Sequence, residues 1–151
     1  MKQNLLIKNS IKTDVDVLNA AKILTYRHEG FESKVYNDTK GIWTIGIGRN
    51  VQDKGISLSE AFLLLQNDLQ EIYDALIKFP WFKKLDGVRQ AILIDMGMMG
   101  VSKLLKFKKM ILALDAGDYN KAADEMADSK WASDVKTRAT ELIEGMRKGQ
   151  I

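Results

Sequence analysis

Two acids and a hydroxyl carry the chemistry this sequence offers. In HEGFESKVYNDTKGIWTIGIGRN, residues 28–50, Glu29 is followed by Asp38, Thr44 and two glycines, Gly46 and Gly48. Glu29 closes a helical segment, where the negative end of the backbone dipole disfavours the ionised form, as a general acid requires. Asp38 falls beside Asn37 and Thr39 in a polar turn, where hydrogen bonds and solvent favour the carboxylate. One protonated and one ionised carboxyl are the working pair of glycoside hydrolysis. Acids at helix ends and in turns are also, more often, simply solvated, so the pair alone leaves both readings open.

The residues after Asp38 sharpen the first reading. Side chains of a strand alternate, so Trp43, Ile45 and Ile47 are expected to bury, leaving Ile42, Thr44, Gly46 and Gly48 on the opposite face. Glycine weakens a strand, and close approach of a ligand is one reason to keep it. The segment therefore reads as the floor of a cleft. In the last helix Val135, Arg138, Leu142 and Met146 step by three and four, which places a guanidinium near the apolar stripe. Glu29 is a candidate partner for Arg138, and a snorkelling arginine is the alternative.

These residues need elements to position them. Val17, Ala20, Ala21, Leu24 and His28 predict a helix over 16–29, capped by Asp14 or Asp16 and stopped by Gly30. VY and IWTIGIG around NDTKG predict a hairpin or three-stranded sheet. Ser57 and Glu60 match a capping box at the start of a long amphipathic helix that ends before Pro80. Beyond Pro80 helices are expected over 86–99, 103–114, 118–128 and 133–147, with ILIDMGMM apolar on nearly all sides and hence central. The fold class is α+β: an extension over 1–17, a small sheet-containing lobe over 18–56, a connecting helix over 57–79 and a helical lobe over 80–151.

Composition bounds the function. The 151 residues, 46% hydrophobic and 28% charged, suffice for a packed domain or two small lobes. Cysteine is absent and His28 is the lone histidine, which excludes disulfides and thiolate or histidine-rich metal sites, and no cofactor is expected. The net charge of +3 mildly favours an anionic polymer. Basic residues are scattered among acids without a nucleic-acid-binding signature, so nucleic acid is not an expected partner. The first residues lack a secretory pattern, and no run approaches the roughly 20 apolar residues of a membrane span.

Glu29-Gly30, Asp38, Gly41, Thr44, Gly46 and Gly48 at these spacings resemble the T-even phage lysozymes and related phage endolysins. The resemblance extends over about residues 18–148, through MGMMG, AGDYNKAADEM, SKW and the helix of Arg138. It implies a lysozyme-like fold and a muramidase that cleaves the β-1,4 bond between N-acetylmuramic acid and N-acetylglucosamine in peptidoglycan. By the same resemblance Glu29 is the general acid, Asp38 and Thr44 position the attacking water, the reaction inverts the anomeric centre, and Arg138 supports the catalytic glutamate. Gly46, Gly48 and Met98 are the implied substrate contacts. The implied setting is a monomer in the host cytoplasm, released to the wall through a holin without inserting in the membrane itself.

The chain departs from the family's pattern at Arg49, where a histidine is usual, at Met98, where relatives carry Gln or Asn, and at Thr137, often Asn. A catalytically weak peptidoglycan-binding module is therefore the alternative function. Trp81, Phe82 and Trp131 are expected in the core more than stacked on sugars. KLLKFKK, residues 103–109, reads as a solvated face, with a wall-binding patch as the alternative.

Overall fold

The computed structural model describes residues 13–151, and the chain divides into two compact units, Met1–Leu58 and Ser59–Ile151. The predicted extension over 1–17 therefore lies largely outside the described residues. In both units the local signals that start and stop helices are visible as hydrogen bonds.

In the first unit helix α1 spans Asp14–Glu29. Its cap is Thr13, one residue before Asp14 and three before Asp16, the caps expected. The Thr13 hydroxyl accepts the Asp16 N–H at 3.1 Å, and the Asp16 carboxylate accepts the Thr13 N–H at 3.2 Å. This is a capping box with aspartate in the position usually held by glutamate. Gly30, at φ 71°, ends the helix and donates its N–H to the Tyr26 carbonyl at 3.0 Å. Glu29 is thereby fixed on the last turn.

Three short strands follow, β1 over Glu32–Asn37, β2 over Trp43–Gly46 and β3 over Arg49–Asn50, antiparallel in the order β1-β2-β3. Thr44 pairs with Tyr36 on one side and Asn50 on the other. The expected burial of this segment is corrected: Trp43 and Ile47 are exposed and Thr44 is buried. Trp43 and Thr44 alternate on the faces opposite to those expected, and beyond them Gly46 and Gly48, both at φ 69°, end the strand and turn the chain. Asn50 then caps helix α2, Val51–Lys54, by accepting the Asp53 N–H at 3.0 Å. Arg49 closes this loop by donating from Nε and Nη2 to the Gly55 carbonyl at 3.1 and 2.8 Å.

The second unit is helical. Helix α3, Leu58–Leu76, starts close to the expected Ser57 and stops ahead of Pro80, which opens the short helix α4, Pro80–Lys83. Asp86 caps α5, Gly87–Gly97, through the Arg89 N–H at 3.0 Å. α6 (Val101–Leu104), α7 (Lys108–Asp115), α8 (Tyr119–Ala127), α9 (Lys130–Val135) and α10 (Thr137–Lys148) complete the unit. Two expected helices are broken. The one over 103–114 divides at Leu105–Phe107, and the last divides at Lys136, a non-glycine residue at φ 45°.

Leu76, Phe82, Ile92, Leu93, Met96, Leu104, Met110, Met126 and Met146 are nearly or fully inaccessible to solvent. Trp81, Phe82 and Trp131 join this core as expected, with Phe79 and Trp81 stacked at 5.7 Å between ring centroids. Gly97 lets α3 and α5 approach closely, since a β-carbon there would stand 2.5 Å from Ile72 Cγ2. Each of these large side chains contributes roughly 2–5 kcal/mol against truncation to alanine. The result is an α+β fold, with a small antiparallel sheet in the first unit and a helical second unit.

Candidate active site

The acids are built from their local backbone. α1 ends at Glu29, and the turn after β2 brings Gly48 to its carboxyl group. A β-carbon on Gly48 would lie 3.0 Å from both Cδ and Oε2 of Glu29. Any side chain there would make the Glu29 carboxyl give way by a few tenths of an ångström, and the φ of 69° favours glycine independently.

Asp38 is anchored by the turn that joins β1 to β2. Its Oδ1 accepts the N–H groups of Lys40 at 2.8 Å and Ile42 at 2.9 Å, and its backbone N–H donates to the Ile42 carbonyl at 3.0 Å. The Ile42 N–H is the largest influence and holds the carboxyl below its ordinary pKa; desolvation, next in size, opposes it, and the Lys40 N–H and the Lys40 charge add to the lowering. Thr44 meets the same residue from the other side, donating its hydroxyl to the Ile42 carbonyl at 3.1 Å. Ile42 is thus gripped at its N–H by Asp38 and at its carbonyl by both Asp38 and Thr44. That grip fixes the spacing of an acceptor-only carboxylate and a hydroxyl whose proton is already engaged.

Arg138 and Met98 belong to the helical unit. Arg138 donates to Asp95 Oδ2 from Nε at 3.1 Å and Nη2 at 2.7 Å, and Nη2 also reaches the Asp95 carbonyl at 3.3 Å. The expected burial of Arg138 is corrected, because its side chain is 49% exposed. Met98 is likewise no core residue. With Phe62, Leu69, Tyr73, Ile94 and Asp95 it lines an open, largely apolar groove of about 660 Å³.

The phage lysozyme family model matches residues 26–148, a span that contains all of these residues. The chain belongs to the phage lysozyme family. Among its relatives, the pre-baseplate central spike protein Gp5 of Enterobacteria phage T4 is 28% identical over 89% of this chain and 28% of that protein. The chain thus spans little more than a quarter of the spike protein's length. Probable T4-type lysozymes 1 and 2 of Dictyostelium discoideum are 24% and 25% identical, each over 89% of this chain and 98% of the relative. Membership of the phage lysozyme family supports a lysozyme-type glycoside hydrolase activity.

Within this family member the N-terminal unit carries Glu29, Asp38, Thr44, Gly46 and Gly48. Gly46 differs from Gly48 in having open space where its β-carbon would be. Sequence reasoning did not single out Arg89, the buried cation of the helical unit. It donates Nε to the Met146 carbonyl at 2.8 Å and Nη2 to that of Arg147 at 3.1 Å, pairs with Asp86, and lies 3.6 Å over the Tyr119 ring. Its sequence signal was the neighbouring Asp86 cap. Asp95, the partner of Arg138, was also missed because it sits inside the apolar run ILIDMGMM. An acid in such a run calls for a cation, and that was the available clue.

Proposed function

We propose that this chain is a muramidase that hydrolyses, with inversion, the β-1,4 bond between N-acetylmuramic acid and N-acetylglucosamine in bacterial peptidoglycan. The observation that supports this most is the Glu29 carboxyl lying against the bare α-carbon of Gly48. In this reading Glu29 gives its proton to the glycosidic oxygen as the bond to the anomeric carbon breaks. Asp38 takes a proton from the water whose oxygen attacks that carbon from the opposite face. The Thr44 hydroxyl proton is committed to the Ile42 carbonyl, so the group serves the water through its lone pairs. Inversion requires the two carboxyls to stand roughly 6.5–9.5 Å apart, with the water between.

Gly46 and Gly48 border the sugar path, and Met98 offers an apolar contact in place of an amide. Arg138, held by Asp95, is the supporting cation. The setting we propose is that of a monomeric endolysin kept in the host cytoplasm until a holin opens the way to the wall. Among the described residues no helix is long and apolar enough to cross a membrane. The likeness to part of a spike protein favours a second setting, a wall-cutting domain carried on a phage particle.

The test is release of reducing ends from purified peptidoglycan. Wild type is expected to release them, and Glu29→Gln to lose about 10²–10⁴ in rate while remaining folded. Binding to peptidoglycan without release by wild type would replace this reading with that of a binding module.

A further inference from the structure

The segment KLLKFKK is not used by the proposed chemistry. Leu104 and Met110 are buried, and Leu105 and Phe107 pack partly buried against the same core. Because the helix breaks between α6 and α7, these anchors turn Lys103, Lys106, Lys108 and Lys109 outward together, and all four are exposed. Elsewhere in the helical unit Lys84, Arg89, Arg138, Arg147 and Lys148 each meet a carboxylate. None of the four knuckle lysines forms an ion pair among the described residues, a state shared with Lys78, Lys83, Lys121, Lys130 and Lys136, and the knuckle differs in gathering four of them within seven residues.

Lys106, Lys108 and Lys109 line a depression of about 420 Å³ together with Phe107, and the acids that face it are Glu125 and Asp128. Three ammonium groups against two carboxylates leave a positive surplus in the depression, and exposed Lys103 lies close by in the sequence. Folding does not account for it: like charges this close repel, and two of the lysines begin a helix, where cations are disfavoured.

We propose that Lys103, Lys106, Lys108 and Lys109 form a docking surface, separate from the catalytic residues, for a phosphodiester polymer carried by the bacterial wall. Flexible, compact ammonium groups act as point charges toward repeated phosphates along a chain. Nucleic acid is disfavoured because Phe107, the aromatic residue of the segment, is packed on the core and offers no stacking platform. The proposal rests on the wall-hydrolase reading, since an enzyme acting on an insoluble polymer gains from a second point of attachment.

The experiment compares sedimentation of the protein with Gram-positive sacculi that retain their phosphodiester polymers and with the same sacculi stripped by hydrofluoric acid. Wild type is expected to bind intact sacculi about tenfold or more tightly than stripped ones, with the difference disappearing at high salt. Replacing all four lysines by glutamine removes the difference, while Lys121→Gln with Lys130→Gln retains it. Hydrolysis of a soluble glycan oligomer by the fourfold variant stays within about twofold of wild type, which also reports its fold. Equal binding of wild type to intact and stripped sacculi, or retention of the difference by the fourfold variant, overturns the proposal. So does a variant that loses binding to a DNA fragment alone. If no version cuts the soluble glycan, the hydrolase reading fails, and the sedimentation comparison still decides the docking surface.

Discussion

The Glu29 carboxyl lies so close to the α-carbon of Gly48 that a β-carbon there would stand 3.0 Å from its Cδ. Gly46, two residues earlier, has the same φ of 69° and open space around it. The two glycines therefore separate backbone strain from displacement of the acid. Gly46→Ala is expected to cost about 1–2 kcal/mol of stability and, because Gly46 borders the proposed sugar path without touching Glu29, to raise KM more than it lowers kcat. Gly48→Ala carries the same strain and also shifts the Glu29 carboxyl, so it is expected to lower kcat where Gly46→Ala does not. Thermal denaturation and initial rates on a soluble glycan distinguish them.

Asp38 holds its turn through the N–H groups of Ile42 and Lys40, which stabilise the ionised carboxyl and lower its pKa. A depressed folded-state pKa means that the unfolded chain takes up the proton first as pH falls. The stabilisation is present above the ordinary carboxylate pKa of about 4 and fades as pH drops through the lower folded value. Asp38→Asn keeps an acceptor oxygen for both N–H groups, so the turn is expected to survive without that acid dependence. Its hydrolysis rate falls even though the fold is retained. Unfolding followed from pH 7 to pH 2, together with rates at neutral pH, checks both outcomes.

Two arginines test burial against exposure. Arg89→Ala removes the donor of the Met146 and Arg147 carbonyls and is expected to destabilise by at least about 2 kcal/mol. Arg138→Ala breaks an exposed pair with Asp95 and should change stability by no more than about 1 kcal/mol. Urea denaturation of both variants measures the contrast.

Gly97→Ala places a β-carbon 2.5 Å from Ile72 Cγ2 and is expected to cost about 1–3 kcal/mol by overpacking. Ile72→Leu removes that branch, so the double variant should be more stable than the sum of the two single effects. A double-mutant cycle by chemical denaturation reads the coupling directly.

Much of this architecture is legible in the sequence where a local rule acts alone. Asp86 and Asp118 mark helix starts that appear as expected, the long helix ends before Pro80 as expected, and the Asn-Asp-Thr-Lys-Gly turn holds Asp38 by its own backbone, whereas the short helix opened by Pro80 is not among those expected. The helix breaks at Leu105–Phe107 and Lys136 have no proline to announce them, and in each case tertiary packing overrides propensity. Period two says which strand residues share a face but not which face is covered, so Thr44 is buried and Trp43 exposed against expectation, and positive φ at Gly46 then ends the alternation before Ile47. Arg89 escaped notice because its carbonyl partners lie 57 and 58 residues away, beyond any periodicity. Arg138 was placed by helical spacing at the apolar stripe, while its carboxylate partner on α5 draws it to the exposed side.

The anomeric configuration of the first product, followed by NMR during cleavage of a soluble peptidoglycan glycan, tests the paired roles of Glu29 and Asp38 most directly. Proton delivery by Glu29 with attack by a water held at Asp38 gives the α-anomer first, equilibrating later by mutarotation. Initial release of the β-anomer would contradict it.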